Sequence, residues 1–131
     1  MRTELLTYLT AQLTASIKTS QELPFQEGTN ALYLKNLRKV YLDEPYTEQD
    51  ALLMTLSATH TVNQKTTIVR GFLAVDAKNR NADLDAALTI ISGSKDIATI
   101  TGFYRKEFDY TTSISNDVLL YEFQWRFFNI A

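Results

Sequence analysis

The chain opens with a helical pattern of apolar residues. Large aliphatic side chains recur at every fourth position: Leu5, Leu9, Leu13 and Ile17. This is the spacing of one helix face, so it predicts a helix over residues 3–18 with Thr3 as its N-cap. The helix must end before Pro24, because a residue that precedes proline disfavours helical geometry. Residues 22–30 are then predicted to form a loop.

A second helical pattern covers residues 79–94. Asn81 can cap the start of this helix, and Asp83 and Asp85 complement the partial positive charge at its N-terminal end. Gly93 is a natural stop. The sequence therefore predicts two principal helices, separated by a long stretch without helical periodicity.

The rest of the chain has the composition or alternation of strands. The predicted strand regions are residues 31–42, 51–62, 64–79, 98–114 and 118–130. The first is either one strand interrupted at Lys35–Asn36 or two short ones. An acidic connection, residues 43–50, is broken by Pro45. Residues 51–62 favour a strand through their β-branched residues, with a helix capped by Thr47 or Asp50 as the alternative.

The terminal strand alternates large side chains on its two faces. One face is a continuous core face: Leu119, Tyr121, Phe123, Trp125 and Phe127. The other face mixes apolar and charged side chains: Leu120, Glu122, Gln124, Arg126, Phe128 and Ile130. The turn sequence "SISND" before this strand predicts an antiparallel hairpin that closes the chain.

These elements predict one α+β domain over residues 1–131. Two helices are too few to cover both faces of a parallel sheet, so we expect a mostly antiparallel sheet with both helices packed on one face. A chain of 131 residues buries about two thirds of the surface that it exposes when unfolded. We therefore expect it to fold without a metal or a disulfide.

Composition excludes several classes of function. The chain has no cysteine, which excludes a disulfide framework, thiolate catalysis and a cysteine-based zinc site. Its net charge of −2 argues against a protein that grips a polyphosphate backbone. No apolar run reaches the ~20 residues of a membrane span, and no signal peptide opens the chain. The sequence predicts a soluble, intracellular protein.

Candidate catalytic groups are sparse. His60 is the single histidine, and no neighbour in sequence is placed to orient it as a general base. The acidic pair Asp43–Glu44 is better explained as a solvated turn. Single glycines provide no phosphate-binding loop, and Gly71 within a strand indicates a bulge or a close backbone approach. We predict no catalytic residue, cofactor or metal.

Aromatic residues beside charges are the remaining signal. The chain has seven Phe, seven Tyr and one Trp, several of them next to charged residues on predicted strands. Tyr, Trp, Phe and Arg are enriched in the buried centres of protein interfaces. The mixed face of the terminal strand would suit a contact with another subunit, although core packing explains many of these side chains equally well.

The order of elements resembles the tail terminator (tail-completion) proteins of long-tailed bacteriophages. The likeness rests on "LYLKNLRKVYLDEPYTEQD", on the helix that follows "AVDAKNRNADLDAAL", and on the hairpin "FDYTTSISNDVLLYEFQWRF". The resemblance implies a structural virion protein, assembled in the host cytoplasm, that caps the tail tube as a hexameric ring. It also implies tail tube and neck or head-completion proteins as partners, and DNA that passes through the central channel without specific binding.

Physical reasoning places the subunit contacts on two segments. A head-to-tail ring needs two different patches on each copy. We expect one patch in the acidic connection and one on the hairpin, formed by Tyr41, Asp43, Glu44 and Tyr46 against Arg105, Lys106 and Arg126. Two alternatives remain, a head–tail connector or neck ring protein, and a monomeric enzyme or small-molecule binder with a pocket near His60.

Overall fold

The computed structural model describes residues 1–14, 16–21, 37–48, 52–57, 60–76, 82–115 and 117–130. The helices are α1 (Arg2–Gln12) and α2 (Ala82–Gly93), and a single 3-10 turn (Ser94–Asp96) follows α2. The strands are β1 (Lys18–Ser20), β2 (Lys39–Leu42), β3 (Tyr46–Glu48), β4 (Leu52–Ser57), β5 (His60–Asp76), β6 (Arg105–Ser115) and β7 (Val118–Ile130).

The long strand β5 organises the sheet. Its neighbours follow the order β1-β2-β5-β7-β6. On one side β5 pairs with β7 along residues 64–76, and on the other side it pairs with β2 and β3. Strand β4 folds back on the first residues of β5. Within these pairings only β1 and β2 run parallel, so the sheet is mostly antiparallel.

Both helices pack on the same face of this sheet. The core joins Leu5, Leu9 and Leu13 from the N-terminal segment to Leu84, Ala87 and Ile91 of α2, with β2, β5 and β7 beneath them. The predicted core face of the terminal strand is buried along its length, from Leu119 at 7% to Trp125 and Phe127 at 0% exposure. The predicted α+β fold, with helices on one face and a closing hairpin, is confirmed.

Trp125 lies at the centre of the core and is fixed by a buried hydrogen-bond chain. Its indole Nε1 donates to the Ser94 hydroxyl at 2.9 Å, and that hydroxyl donates to the carbonyl of Ile91 at 2.6 Å. Residues 64–76 of β5 pair with β7 in unbroken register, so Gly71 marks no bulge there. It marks the close approach of the Trp125 ring to the backbone.

The first helix is shorter than its apolar pattern predicts. It ends at Gln12, and Thr3 lies inside it, because Met1 occupies the N-cap position. Lys18 is instead the first residue of β1, and its backbone N–H donates to the carbonyl of Arg38 at 3.1 Å. Ile17 is still buried at 2% exposure. Pairing with a distant strand therefore replaces the predicted last turns of the helix.

Other boundaries also differ from the sequence prediction. The acidic connection contains strand β3, which pairs with β5. Within the predicted strand region 51–62, residues 52–57 form β4 and residues 60–62 begin β5, so for these described residues the strand prediction is confirmed and the helix alternative is wrong. Strand β6 begins at Arg105 rather than at residue 98. The Asn81 cap, the Lys35–Asn36 break and the loop at 22–30 lie outside the described residues.

Candidate functional site

The sheet face opposite the helices carries the mixed side chains of β5, β6 and β7. Strand register places Arg70 and Phe72 of β5 beside Gln124 and Glu122 of β7, and Asp109 and Thr111 of β6 beyond them. The helix-side cluster includes none of these six residues. We call this surface the open face.

The apolar part of the open face is partly covered by the chain itself. Ile68, Ala74 and Phe128 are 2%, 1% and 8% exposed. The Arg105 guanidinium lies 5.2 Å from the centre of the Phe128 ring, which explains why Phe128 is covered. Ile130 remains 56% exposed. We expected an apolar surface formed by Leu120, Phe128 and Ile130. Phe128 is buried, so it does not contribute to such a surface.

Arg126 lies in a network of charges from its own hairpin. It faces Glu107 across the β6–β7 pair, with 3.8 Å between Nε and the nearer carboxylate oxygen. Its Nη2 also contacts the Asp109 carboxylate, and Arg105 contacts Glu107. Two carboxylates of the same chain thus balance the charge of Arg126. Reversing that charge would place three carboxylates together, so the substitution would disturb the hairpin as well as any subunit contact.

A shallow depression of about 240 Å³ lies at the centre of the open face. It is lined mainly by Arg70, Phe72, Asp109, Thr111, Glu122 and Gln124. The Arg70 guanidinium lies 5.9 Å from the centre of the Tyr46 ring. Within the described part of the chain, neither Arg70 nor Glu122 forms an ion pair. Among the described residues, these two charges are therefore not balanced by an opposite charge.

The acidic connection lies at the edge of the sheet formed by β2 and β3. The Asp43 backbone N–H donates to the carbonyl of Arg70 at 2.8 Å, and its carboxylate accepts the Glu44 N–H at 3.0 Å. Glu44 points outward with 82% of its side chain exposed, 3.9 Å from Arg2. Burial and the neighbouring Asp43 carboxylate raise the pKa of Tyr41 above its ordinary value.

The seven predicted contact residues lie in two separate regions of the sheet. Tyr41, Asp43, Glu44 and Tyr46 lie at or next to the β2–β3 edge, and Arg105 and Arg126 lie on the β6–β7 hairpin. Strand spacing separates β2 from β6 by roughly 14 Å. Lys106 alternates to the helix-bearing face, where its Nζ donates to the carbonyl of Ile100 at 2.8 Å. Whether these residues mediate contacts stays a prediction.

The contact prediction omitted several polar residues of the open face. Arg70, Glu107 and Asp109 were not among the predicted contacts, and Glu122 was recognised only as part of the mixed face. Alternation along residues 64–76 already places Arg70 on the side away from the core. The partners of Arg126 needed the hairpin register, which pairs Glu107 with Arg126.

Metal-ligating side chains do not cluster in the described residues. They contain no group of three or more Asp, Glu, His or Cys residues arranged to hold a metal ion. The side chain of His60 lies outside the described part of the chain. In the described residues, no helix has both the length and the apolar character needed to cross a bilayer.

Comparison with known proteins leaves the family open. Neither the protein-family models nor the curated proteins contain a match to this chain.

Proposed function

We propose that this chain is a structural subunit of a bacteriophage tail. In this proposal it caps the tail tube as a hexameric ring, ends growth of the tube and forms the tail side of the head–tail joint. The observation that carries the proposal is the placement of two exposed side chains of opposite charge, Glu44 and Arg105, at opposite edges of one sheet. A head-to-tail ring closes through contacts between two different patches on each copy.

Each of the two edges presents an exposed charged side chain. The outward carboxylate of Glu44 is 82% exposed at one edge, and the Arg105 side chain, which also pairs with Glu107, is 60% exposed at the other. Between them, Arg70 and Glu122 flank the depression on the open face. Exposed apolar groups with polar groups around them are typical of surfaces that another subunit covers.

The net charge of −2 is consistent with a ring around a DNA channel. Binding to a polyphosphate backbone gains its free energy largely from counterion release by lysine and arginine contacts. A mildly acidic subunit gains little from this source, so DNA can pass without being held. The proposed partners are therefore further copies of the chain, the tail tube protein and a neck or head-completion protein.

Growth of tail tubes tests the proposal. Tail tube protein of the corresponding phage is polymerised with and without the purified chain, and tube lengths and ends are imaged by negative-stain electron microscopy. We expect added chain to stop elongation and to appear as a ring at the tube end. Unchanged tube length together with binding to the portal complex would instead identify a neck connector.

A charge exchange tests the ring contact itself. Glu44→Lys and Arg105→Glu should each weaken ring formation, because each removes attraction across the subunit boundary, and the double variant should recover it. Lys65→Glu is the control for the charge change, which it makes on an exposed strand residue of the helix-bearing side. Circular dichroism of Arg105→Glu checks that the new carboxylate beside Glu107 leaves the hairpin folded. If the double variant does not recover ring formation, the contact between Glu44 and Arg105 is contradicted. The tube-growth experiment would still test the proposed capping function separately.

A further inference from the structure

Strand β6 forms a free edge of the sheet. It is the last strand in the order β1-β2-β5-β7-β6, and within the described residues it pairs only with β7. Its eleven residues pair without a register shift from Arg105 to Ser115. A straight edge of this length presents a row of unpaired backbone donors and acceptors.

The second half of β6 lacks the usual protection of an edge. Residues 110–115 include no charge, proline or glycine, and no bulge interrupts them. Tyr110 is 47% exposed and Ile114 is 71% exposed, both on the helix-bearing side. The helices therefore leave this half of the edge uncovered.

We propose that β6 pairs with β6 of a second copy, antiparallel and across a two-fold axis at Tyr110. The other outer strands that the structure describes are shorter, with three residues in β1, three in β3 and six in β4, so none of these matches the length of β6. Pairing about Tyr110 uses all eleven residues of both strands. The inference concerns the free protein and goes beyond the proposed tail function.

This register also avoids placing like charges directly opposite each other. Glu107 and Asp109 come to lie opposite Ser113 and Thr111 of the second copy. The two Asp109 carboxylates become diagonal neighbours, and each is already paired with Arg126 of its own chain. Moving the axis by one residue to Asp109 would place two carboxylates directly opposite. The axis at Tyr110 sets two aromatic rings side by side and extends the contact that Tyr110 already makes with Tyr121, whose ring centre is 5.8 Å away.

The exposed Ile114 is covered in the same arrangement. It lies opposite Lys106 of the second copy, with Phe108 of that copy as its diagonal neighbour. Because directly opposed residues share a face, both helix layers come to lie on the same side of one continuous sheet. The pairing therefore covers the two most exposed apolar side chains of β6.

Cysteine crosslinking tests the register, because the natural chain has no cysteine. Tyr110→Cys places two thiols directly opposite each other, within reach of a disulfide. Ile114→Cys is the control, because its two copies would lie roughly 27 Å apart along the paired strands. Under mild oxidation we expect about tenfold more disulfide-linked dimer for Tyr110→Cys than for Ile114→Cys. Equal yields, or no dimer in either variant, would overturn the proposal.

Sedimentation gives a second readout that does not depend on oxidation. The unmodified chain should sediment at twice its monomer mass of 14.9 kDa, and Tyr110→Lys should sediment as a monomer because two ammonium groups would face each other. Circular dichroism of Tyr110→Lys checks that the variant is folded. Monomeric unmodified protein at the same concentration would contradict the pairing, and a folded Tyr110→Lys that still sediments as a dimer would do so too.

Discussion

Gly71→Ala should destabilise the fold, because the Trp125 ring leaves no room for a methyl group. A Cβ at this position would lie 2.9 Å from Cζ3 and 3.2 Å from Cη2 of Trp125, and 3.1 Å from Cδ2 of Leu42. The ring has little freedom to move away, because its indole N–H is held by Ser94. Either the two strands separate or the buried hydrogen bond lengthens.

The expected cost follows from these contacts. Overpacking a well-filled core costs about 1–3 kcal/mol, and a weakened hydrogen bond adds about 1 kcal/mol. Alanine also lowers the conformational entropy of the unfolded chain relative to glycine, which offsets about 0.4–1 kcal/mol of this loss in stability. We therefore expect a net loss of roughly 2 kcal/mol, and a melting temperature lower by about 6–10 °C for a domain of this size.

Urea denaturation followed by tryptophan emission measures the effect. Trp125 is the single tryptophan, so its emission reports directly on the affected site. Gly93→Ala is the matched control: nothing lies within 4 Å of the position that the new methyl group would occupy, so the substitution should be neutral or slightly stabilising. If Gly71→Ala were as stable as Gly93→Ala and kept the same emission spectrum, the account of the Trp125 contact would be refuted.

Three further substitutions probe other parts of the structure. Ser94→Ala should lower the free energy of unfolding by about 1–3 kcal/mol, because it removes the partner of the buried Trp125 indole N–H and the hydroxyl bond to the Ile91 carbonyl. Stability within experimental error of the original would contradict this. Because the pKa of Tyr41 is raised in the folded state, the folded protein holds the phenol proton more tightly than the unfolded chain does. The free energy of unfolding should therefore fall as pH rises above the ordinary value of 10.0 and through the raised pKa. Tyr41→Phe removes this proton, so its stability should decline less steeply in alkaline denaturation. Gly102→Ala should destabilise because φ is +88° there, whereas an unchanged melting temperature would show that the turn relaxes.

Periodicity predicted the elements more reliably than their ends. The apolar spacing through Ile17 correctly identified a buried position, yet the helix stops at Gln12. A buried strand residue and a buried helix residue look alike at one position, and only the backbone pairing of Lys18 with the Arg38 segment decides between them. That pairing joins residues 20 positions apart and leaves no local signal.

The charges of the candidate site show the same limit. Alternation placed Arg126 on the outer face of the last strand, which the structure confirms. Its balance by Glu107 and Asp109 depends on the strand register, which the hairpin loop fixes at Ser115 opposite Val118. The sequence indicated a turn at this place without fixing its length. A hairpin loop longer or shorter by one residue would shift the strand register and move both carboxylates away from Arg126.

Imaging of tail tubes grown with the purified chain tests the central claim most directly. The account predicts tubes that stop growing and end in a ring of six copies, with a mass about six times 14.9 kDa. Tubes that grow to the same lengths with and without the chain, and that show no added density at their ends, would contradict it.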